Sequence, residues 1–531
     1  MVTFLGVLAA FFLAALDQTI VGTALPRIVS QLHGFDRYTW VTTVYLLSST
    51  AVVPVVGKIS EQLGRKRVFL FGIAFFLVGS AISGAAQNMD QLIIFRGIQG
   101  FGAGILTGMA FAIIADLFAP AERAKYTGLV AGMFGIASII GPLVGGYLTD
   151  NVSWRAIFYV NLPIGAVVLT VLFFTFPSLH FIGEKARIDY LGALGLSAGA
   201  ALLTLGFSLV AINSWNYAPV WICIAAGALL LVVTIWHESH TDSAVLPPKL
   251  FNSSIFSLSM AITFIAGMGM FGVIIYIPLL FQAIVGIKAT YSGLLLLPLM
   301  AGMVVGSIGG GQVMSRTGRY KLQALLGFVS MSLGYFLLTQ MTVTVTQFEV
   351  SRDVILIGFG LGISMSVFNV VAQNAVPVTM ISASVGAMQF IRQMGGVIGL
   401  AIIGSIVNQR INDEIPKHLS PTLLAQIPGP MRSFVLNPEA LFASDASATA
   451  SLPAAAQKWL AAVWPHLEGP VKDAVKVSLS MALNEAFVIG FAVTCVALVL
   501  TVFLKEIPLR KTSAMQDRAA AQARAEAAVS V

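Results

Sequence analysis

The sequence predicts an all-α polytopic membrane protein with fourteen spanning helices, and three observations carry that expectation. Of 531 residues, 57% are hydrophobic and only 10% charged, and the mean hydropathy is +0.89, far from the balance of a water-soluble domain. The apolar runs reach the roughly 20 residues with which a helix crosses about 30 Å of hydrocarbon. They are continuous rather than alternating, which argues against a β-barrel of short two-faced strands.

Charged, Pro and Gly breaks place the spans near 2–24, 40–56, 68–86, 92–115, 127–148, 157–176, 190–212, 219–236, 254–281, 291–313, 322–341, 354–376, 384–406 and 484–504. The first is read as a retained span: it lacks the basic leader of a secretory signal, carries Asp17 and is followed by further spans. With the N-terminus in the cytoplasm, the inner loops hold Lys58, Arg65, Lys66, Arg67, Arg316, Arg319 and Lys321 as well as the tail's cations. The short outer loops hold only Arg27, Arg37, Arg155, Lys288 and Arg352. Positive charge is retained inside, so the chain is expected to be N-in and C-in. The net charge of +7 is spread over these loops, not gathered into a face for nucleic acid.

Two segments read as lying outside the membrane. Residues 407–483 form a long outer loop rich in Ala, Pro and Ser. The stretch from Ala454 has helical spacing, predicting a short helix or helical hairpin on the outer mouth. The Ala-rich, charged tail from Lys505 to Val531 reads as a frayed helix or disorder.

An internal repeat organises the rest. The loop after span 2 reads GKISEQLGRKR (Gly57–Arg67) and the loop after span 10 reads GQVMSRTGRYK (Gly311–Lys321), with Gly, Gly and Arg at the first, eighth and ninth places. The offset pairs spans 1 to 6 with spans 9 to 14 and leaves spans 7 and 8 as an insertion. The expected division is an N-terminal six-helix bundle (1–176), two inserted spans with linkers (177–253), a C-terminal six-helix bundle that includes the outer loop (254–504), and a cytoplasmic tail (505–531). A duplicated unit of this kind puts a substrate site between the halves near the bilayer midplane.

Charges inside spans are the candidate functional groups, because each costs roughly 2.5 to 3.5 kcal/mol or more to insert. Asp17 lies in VTFLGVLAAFFLAALDQTIVGTALP, nine residues before Pro26, and Arg96 lies six residues after Asp90. At 1.5 Å per residue they sit about 13 Å and about 9 Å below the same face, close enough in depth to meet. A carboxylate between low dielectric and a guanidinium exchanges its proton when either surrounding changes, which is the minimal machinery of proton coupling. The alternative is a static pair that only locks two helices. Arg392 in the middle of span 13, with Gln389 and Gln393 beside it, is a second intramembrane charge. Together with Gln99 on span 4 and Asn369 and Gln373 on span 12, Gln389 and Arg392 are the candidate cavity groups. Gly141 and Pro142 interrupt span 5, where they permit bending and close helix approach.

Other chemistries find no support. GxxxxGK[ST] is absent, and patterns such as GFGAG and GFGLG fall inside spans, where they read as helix packing. The six histidines lack metal-ligand spacing, with His237 and His240 read as having no acid set nearby, so no metal is expected. Cys223 and Cys495 lie in apolar runs, which argues against redox chemistry.

GKISEQLGRKR resembles the signature loop of the major facilitator superfamily. LDQTIVGTALP (Leu16–Pro26), IIFRGIQGFGAG (Ile93–Gly104), SIIGPLVGG (Ser138–Gly146), WRAIFYVNLPIG (Trp154–Gly165) and YIPLLFQAIVG (Tyr276–Gly286) resemble the markers of its fourteen-span drug:proton antiporters, the QacA/EmrB-like family. The resemblance covers nearly every span but not the long outer loop or the tail. It implies a major facilitator fold of two six-helix bundles plus two extra spans. It further implies that Asp17 is the proton-linked acid with Arg96 its neighbour, and that Gly57, Glu61, Gly64, Arg65, Arg67 and Asp116 form a cytoplasmic gate. Gly141, Pro142, Gly145 and Gly146 correspond to the antiporter motif. Two positions depart from the family: Gly22 stands where it usually has Asn, leaving a polar contact beside Asp17 in question, and Glu61 stands where it usually has Asp.

The expected function is export of lipophilic drugs or toxic compounds by alternating access, driven by a proton gradient without another cofactor. The expected partners are a small lipophilic substrate and membrane lipids, with the chain a monomer in a cell membrane, most readily a bacterial inner membrane. Export of a lipid or lipid-linked metabolite is a second transport reading. A receptor or scaffold using the outer loop is a reading of another class, and a membrane enzyme ranks last for want of catalytic groups. With no second core acid in spans 9 to 13, a low proton count and neutral or monovalent substrates are expected.

Overall fold

Apolar runs and their end signals set the helices of the computed structural model, which describes residues 2–32, 38–118, 120–177, 189–213, 215–241, 244–281, 284, 296–342, 344–377, 380–419 and 454–509. In order they are α1 (Val2–Leu32), α2 (Tyr38–Leu63), α3 (Arg65–Gly84), α4 (Met89–Leu117), α5 (Pro120–Asn151), the short α6 (Ala156–Tyr159) and α7 (Asn161–Thr175). Then come α8 (Tyr190–Asn213), α9 (Ala218–Ser239), a 3-10 turn (Pro248–Asn252), α10 (Ser254–Leu280), α11 (Leu297–Thr317), α12 (Lys321–Thr339), α13 (Gln347–Asn374), α14 (Ile381–His418) and α15 (Ala454–Val502). Among the described residues, fourteen helical stretches are long and apolar enough to cross a membrane, one for each expected span. The expected start of span 10 at 291 lies outside the described residues.

Local chemistry ends the helices where the sequence punctuates them. Asn88 caps α4 by accepting the Gln91 N–H at 2.9 Å. Thr346 and Glu349 form a reciprocal capping box at the start of α13. Gly64 and Gly318, the eighth residues of the two repeated loops, have φ of 93° and 67°, a region that a residue with Cβ enters only with strain. The repeated glycine is therefore the residue at which each helix stops, with the next beginning directly at Arg65 in the first loop and at Lys321 in the second.

The packing repeats as well. α1 lies on α5, α2 on α4, α3 on α4, and α7 on both α1 and α3. In the same relation α10 lies on α14, α11 on α13, α12 on α13, and α15 on both α10 and α12. The GFGAG and GFGLG stretches explain how. A Cβ at Gly100 or Gly104 would collide with the backbone of Tyr45 and Ser49 on α2, and one at Gly102 with Phe76 on α3. Likewise Gly358 and Gly362 meet the backbone of Leu299 and Met303 on α11, while Gly360 meets Gly327 and Met331 on α12. Each stretch is a three-helix contact that only glycine fits, not a phosphate loop.

The two sets of helices meet where α5 packs on α11 and α13 and where α2 packs on α14. Gly128, Gly132 and Gly135 of α5 face Ser307, Val304 and Met300 of α11, and Thr50 Oγ1 donates to Gln393 Oε1 across α2 and α14 at 2.8 Å. Of the two inserted helices, α8 lies against α2 and α14, and α9 packs mainly on α8.

Three expectations change. The outer-loop residues 407–418 continue α14, and the helix expected on the mouth is the first part of α15, continuous with the last span. These helices have 38 and 49 residues, about 57 and about 74 Å at 1.5 Å per residue, far more than a bilayer requires. They pack on each other, Ile411, Ile415, Val471, Val475 and Leu479 are all buried in the main apolar core, and Arg410 Nε lies 3.0 Å from Glu485 Oε1. The start of the tail is docked, not frayed: Glu506 Oε1 accepts the Tyr320 and Lys321 N–H groups, both at 3.1 Å, and Asn374 Nδ2 donates to the Pro508 carbonyl at 3.0 Å. His237 does have acids nearby. Its Nε2 lies 3.2 Å from Asp189 Oδ1, and the adjacent Glu238 accepts the Val245 and Leu246 N–H groups at 3.0 Å, so both carboxylates serve backbone donors at helix ends. Among the described residues no cluster of three or more His, Cys, Asp or Glu is arranged to hold a metal.

Candidate functional site

Asp17 on α1 has no solvent-exposed surface, and Arg96 on α4 is 1% exposed. One guanidinium nitrogen of Arg96 lies 2.5 Å from Asp17 Oδ2 and also donates to Gln99 Oε1 at 2.8 Å. Asp17 Oδ1 accepts two more hydrogen bonds, from Gln99 Nε2 at 2.8 Å and Asn161 Nδ2 at 3.0 Å. The carboxylate thus has three donors from α4 and α7, which offset the desolvation of the charge. Gln99 and Arg96 reach it together because residues three apart share a helix face.

The surrounding groups fix the donors. Asn161 Nδ2 also reaches Ser80 Oγ on α3 at 3.1 Å, and Ser80 donates to the Phe158 carbonyl at 2.8 Å. Arg96 stacks over the Tyr45 ring at 4.1 Å, and the Tyr45 hydroxyl donates to the Ala14 carbonyl of α1 at 3.1 Å. Asn161, Ser80 and Tyr45 are site groups that the sequence reading missed. Asn161 stood inside the quoted motif WRAIFYVNLPIG and was its one uncharged amide, the only signal available. A side chain at Gly22 would point into open space, so the polar company of Asp17 comes from Gln99 and Asn161 instead.

From Asp17 the structure continues into α5. Thr19 Oγ1 donates to the Ala137 carbonyl at 2.9 Å, and a Cβ at Gly141 would collide with Thr19. The Gly-Pro-Gly-Gly cluster therefore sits directly on the helix that carries Asp17. Pro142 lies within α5, Gly145 is buried, and Gly146 has open space around it. The other small residues of α5 face α11, so one helix touches both the Asp17 cluster and the opposite set of helices.

At the opposite end of α2, Arg65 is fully buried. Its Nε donates to Asp116 Oδ2 at 2.9 Å and an NH group to the Gly57 carbonyl at 3.0 Å. It also bonds Ser60 Oγ and lies 3.8 Å from Glu61. Gly57, Glu61, Gly64, Arg65 and Asp116 are thus drawn together, joining the ends of α2, α3 and α4. Arg67 is not part of this set: it is exposed and forms no ion pair among the described residues, because two residues further along α3 its side chain points away from Arg65.

In the other set of helices Arg392 is 7% exposed and donates to Gln389 Oε1 at 3.1 Å. It lines a narrow cleft of about 10 Å³ with Thr263, Ala266, Gly267 and Met270 of α10 and Leu361, Ser364 and Met365 of α13. Asn369 donates to the Met365 carbonyl at 2.7 Å, its own buried Oδ1 left without a partner. Gln373 is buried on the same helix and, like Asn369, does not line this cleft. The buried Asp353 pairs with Arg352 in the second turn of α13, near its end and not at its centre.

Comparison with known proteins agrees with this architecture. The family model for the Major Facilitator Superfamily matches residues 7–400. The chain belongs to the major facilitator superfamily. A relative described as multidrug transporter protein MdtP, from Bacillus subtilis (strain 168), is 34% identical over 521 residues, covering 96% of this chain and 94% of the relative. Multidrug resistance protein 3 of the same organism is 34% identical over 404 residues, covering 76% and 78%. The solved structure of the proton:xylose symporter XylE, bound to 6-bromo-6-deoxy-D-glucose, shares the fold with a TM-score of 0.58 at 12% identity, covering 97% of this chain and 98% of its own. This major facilitator chain is accordingly a multi-span membrane transporter, related to proteins named for multidrug efflux.

Proposed function

We propose that this major facilitator protein is a proton-coupled antiporter that exports lipophilic compounds by alternating access, with its N- and C-termini in the cytoplasm. The observation that carries the reading is the Asp17 cluster, a carboxylate with no exposed surface, tied to Arg96 and Gln99 of α4 and Asn161 of α7. Protonation removes the negative charge that holds Arg96. The guanidinium is then a buried charge short of its partner, a state costing on the order of 3 to 5 kcal/mol unless the helices move. The coupling step is that movement: α1, α2 through Tyr45, α4 and α7 all meet at the cluster, and α5 carries the displacement to α11.

One proton moved inward supplies about 2.3 kcal/mol per 100 mV, enough for a roughly fiftyfold gradient of a neutral substrate. The Arg65–Asp116 cluster is the cytoplasmic gate, broken when the halves open inward. The division into two six-helix bundles, an inserted pair and a tail supplies the rocking units, and a monomer embedded in lipid suffices. The experiment is proton-driven efflux in proteoliposomes with an imposed pH gradient, comparing the native chain with Asp17→Asn. Loss of flux with folding retained is expected, and unchanged flux in the variant would remove the coupling assignment.

A further inference from the structure

Three guanidinium groups are buried among the described residues: Arg65, Arg96 and Arg392. Arg65 has Asp116 and Glu61 beside it, and Arg96 has Asp17. Arg392 has no carboxylate partner among the described residues, and its one protein hydrogen bond is to the Gln389 side-chain oxygen. With its oxygen occupied by Arg392, Gln389 keeps an amide nitrogen that is buried and without an acceptor. Two adjacent side chains thus present several N–H donors and no free acceptor, in the interior of a spanning helix where an uncompensated charge is costly.

The position suits a ligand. Arg392 opens onto the cleft between α10, α13 and α14. Among the described residues the Ser364 hydroxyl, on the facing wall, forms no hydrogen bond, and the Thr263 hydroxyl has only the Met388 sulfur, at 3.9 Å. The remaining lining is apolar and deformable, with Met270, Met365, Leu361 and Ala266. The helix that carries Arg392 also touches the opposite set of helices, since the next residue, Gln393, accepts a hydrogen bond from Thr50 of α2. As it stands the cleft holds about 10 Å³, room for no more than a water molecule, so a drug-sized molecule enters only when the helices part.

The geometry points to Arg392 and Gln389 as the docking site for a carboxylate on the transported molecule, which makes lipophilic organic acids a substrate class of this chain. A carboxylate pairs with Arg392 as Asp17 pairs with Arg96, and the planar guanidinium can grip it through paired hydrogen bonds. The assignment rests on the transporter reading above and gives it a consequence. An acid leaving as its anion while one proton enters moves two charges in the favourable direction across an inside-negative membrane, so a single coupling carboxylate is sufficient.

The test is equilibrium dialysis of the purified full chain in detergent, without any gradient, against 1-pyrenebutyrate and its neutral analogue 1-pyrenebutanol, with empty micelles as the blank. The native chain is expected to bind the carboxylate at least tenfold more tightly than the alcohol. In Arg392→Gln that ratio should fall to about one, and in Arg392→Lys it should be partly kept. Should Arg392→Gln fail to fold, Gln389→Leu decides, with a severalfold loss of the ratio expected. Equal affinities in the native chain, or a preference that survives these variants, would overturn the assignment. So would competitive loss of 1-pyrenebutyrate on adding phosphatidylglycerol with no transport of the probe, which would give the donors to a lipid phosphate. Because binding is read without a proton gradient, its failure is separable from failure of Asp17→Asn to lose flux, which bears on coupling alone.

Discussion

Asp17 illustrates how an apolar helix comes to hold a charge: the groups that offset its cost lie on other helices. Its three donors come from α4 and α7, so in the proposed mechanism the stabilisation changes when those helices move. Hydrogen bonds to a charged group contribute about 1.5 to 3 kcal/mol each. Replacing Asn161 with Ala removes one from Asp17 and one from Ser80, and about a tenfold fall in proton-driven flux is expected with the protein still folded. An unchanged initial rate in proteoliposomes would show that Gln99 and Arg96 alone suffice. Much of this constellation was legible beforehand: Asp17 and Arg96 lie on regular helices whose fixed rise converts sequence position into depth. Asn161 was not, because it starts α7 just after the short α6, and the direction a chain takes through such a break is set by packing on α1 and α3.

At the scale of the element, glycines of similar appearance separate by what they face. Gly141 meets Thr19 of α1, whereas Gly146 meets open space. Gly141→Ala is therefore expected to lower the thermal stability of the detergent-solubilised protein, by an overpacking cost of about 1 to 3 kcal/mol. Gly146→Ala should leave it within about 0.5 kcal/mol. Thermal melts of the two variants side by side check this, and equal losses would mean that the motif acts through helix bending rather than contact. The sequence marked the cluster but could not rank its members, because one helical face meets α1 and another α11. The same limit applies to the segment before the last span: helical periodicity from Ala454 was readable, but its continuity with that span was not. Composition changes there from polar to apolar while the backbone runs on unbroken.

For the whole molecule, two sets of helices repeat one packing scheme and differ in their charges. The first holds a satisfied acid, the second a guanidinium without one. Their shared surface includes the Thr50–Gln393 hydrogen bond between α2 and α14. In a chain with Cys223 and Cys495 replaced, Thr50→Cys and Gln393→Cys joined through disulfides by a short bis-methanethiosulfonate crosslinker are expected to stop transport, and reductant should restore it by cleaving those disulfides. Full flux in the crosslinked protein would mean that the halves do not part at this contact.

The sequence by itself determined the class of the protein, its spans, the repeat and the identity of the buried charges. These follow from hydropathy, helix rise and the cost of charge in hydrocarbon, all of which act along the chain. Tertiary structure decided which charges are partnered. Arg65 is drawn inward while Arg67 is left exposed, Asn161 is added to Asp17, and Arg392 is left with an amide in place of an acid. Those outcomes depend on which helix faces meet and on the glycines that let backbones approach, relations between distant segments that no local pattern records.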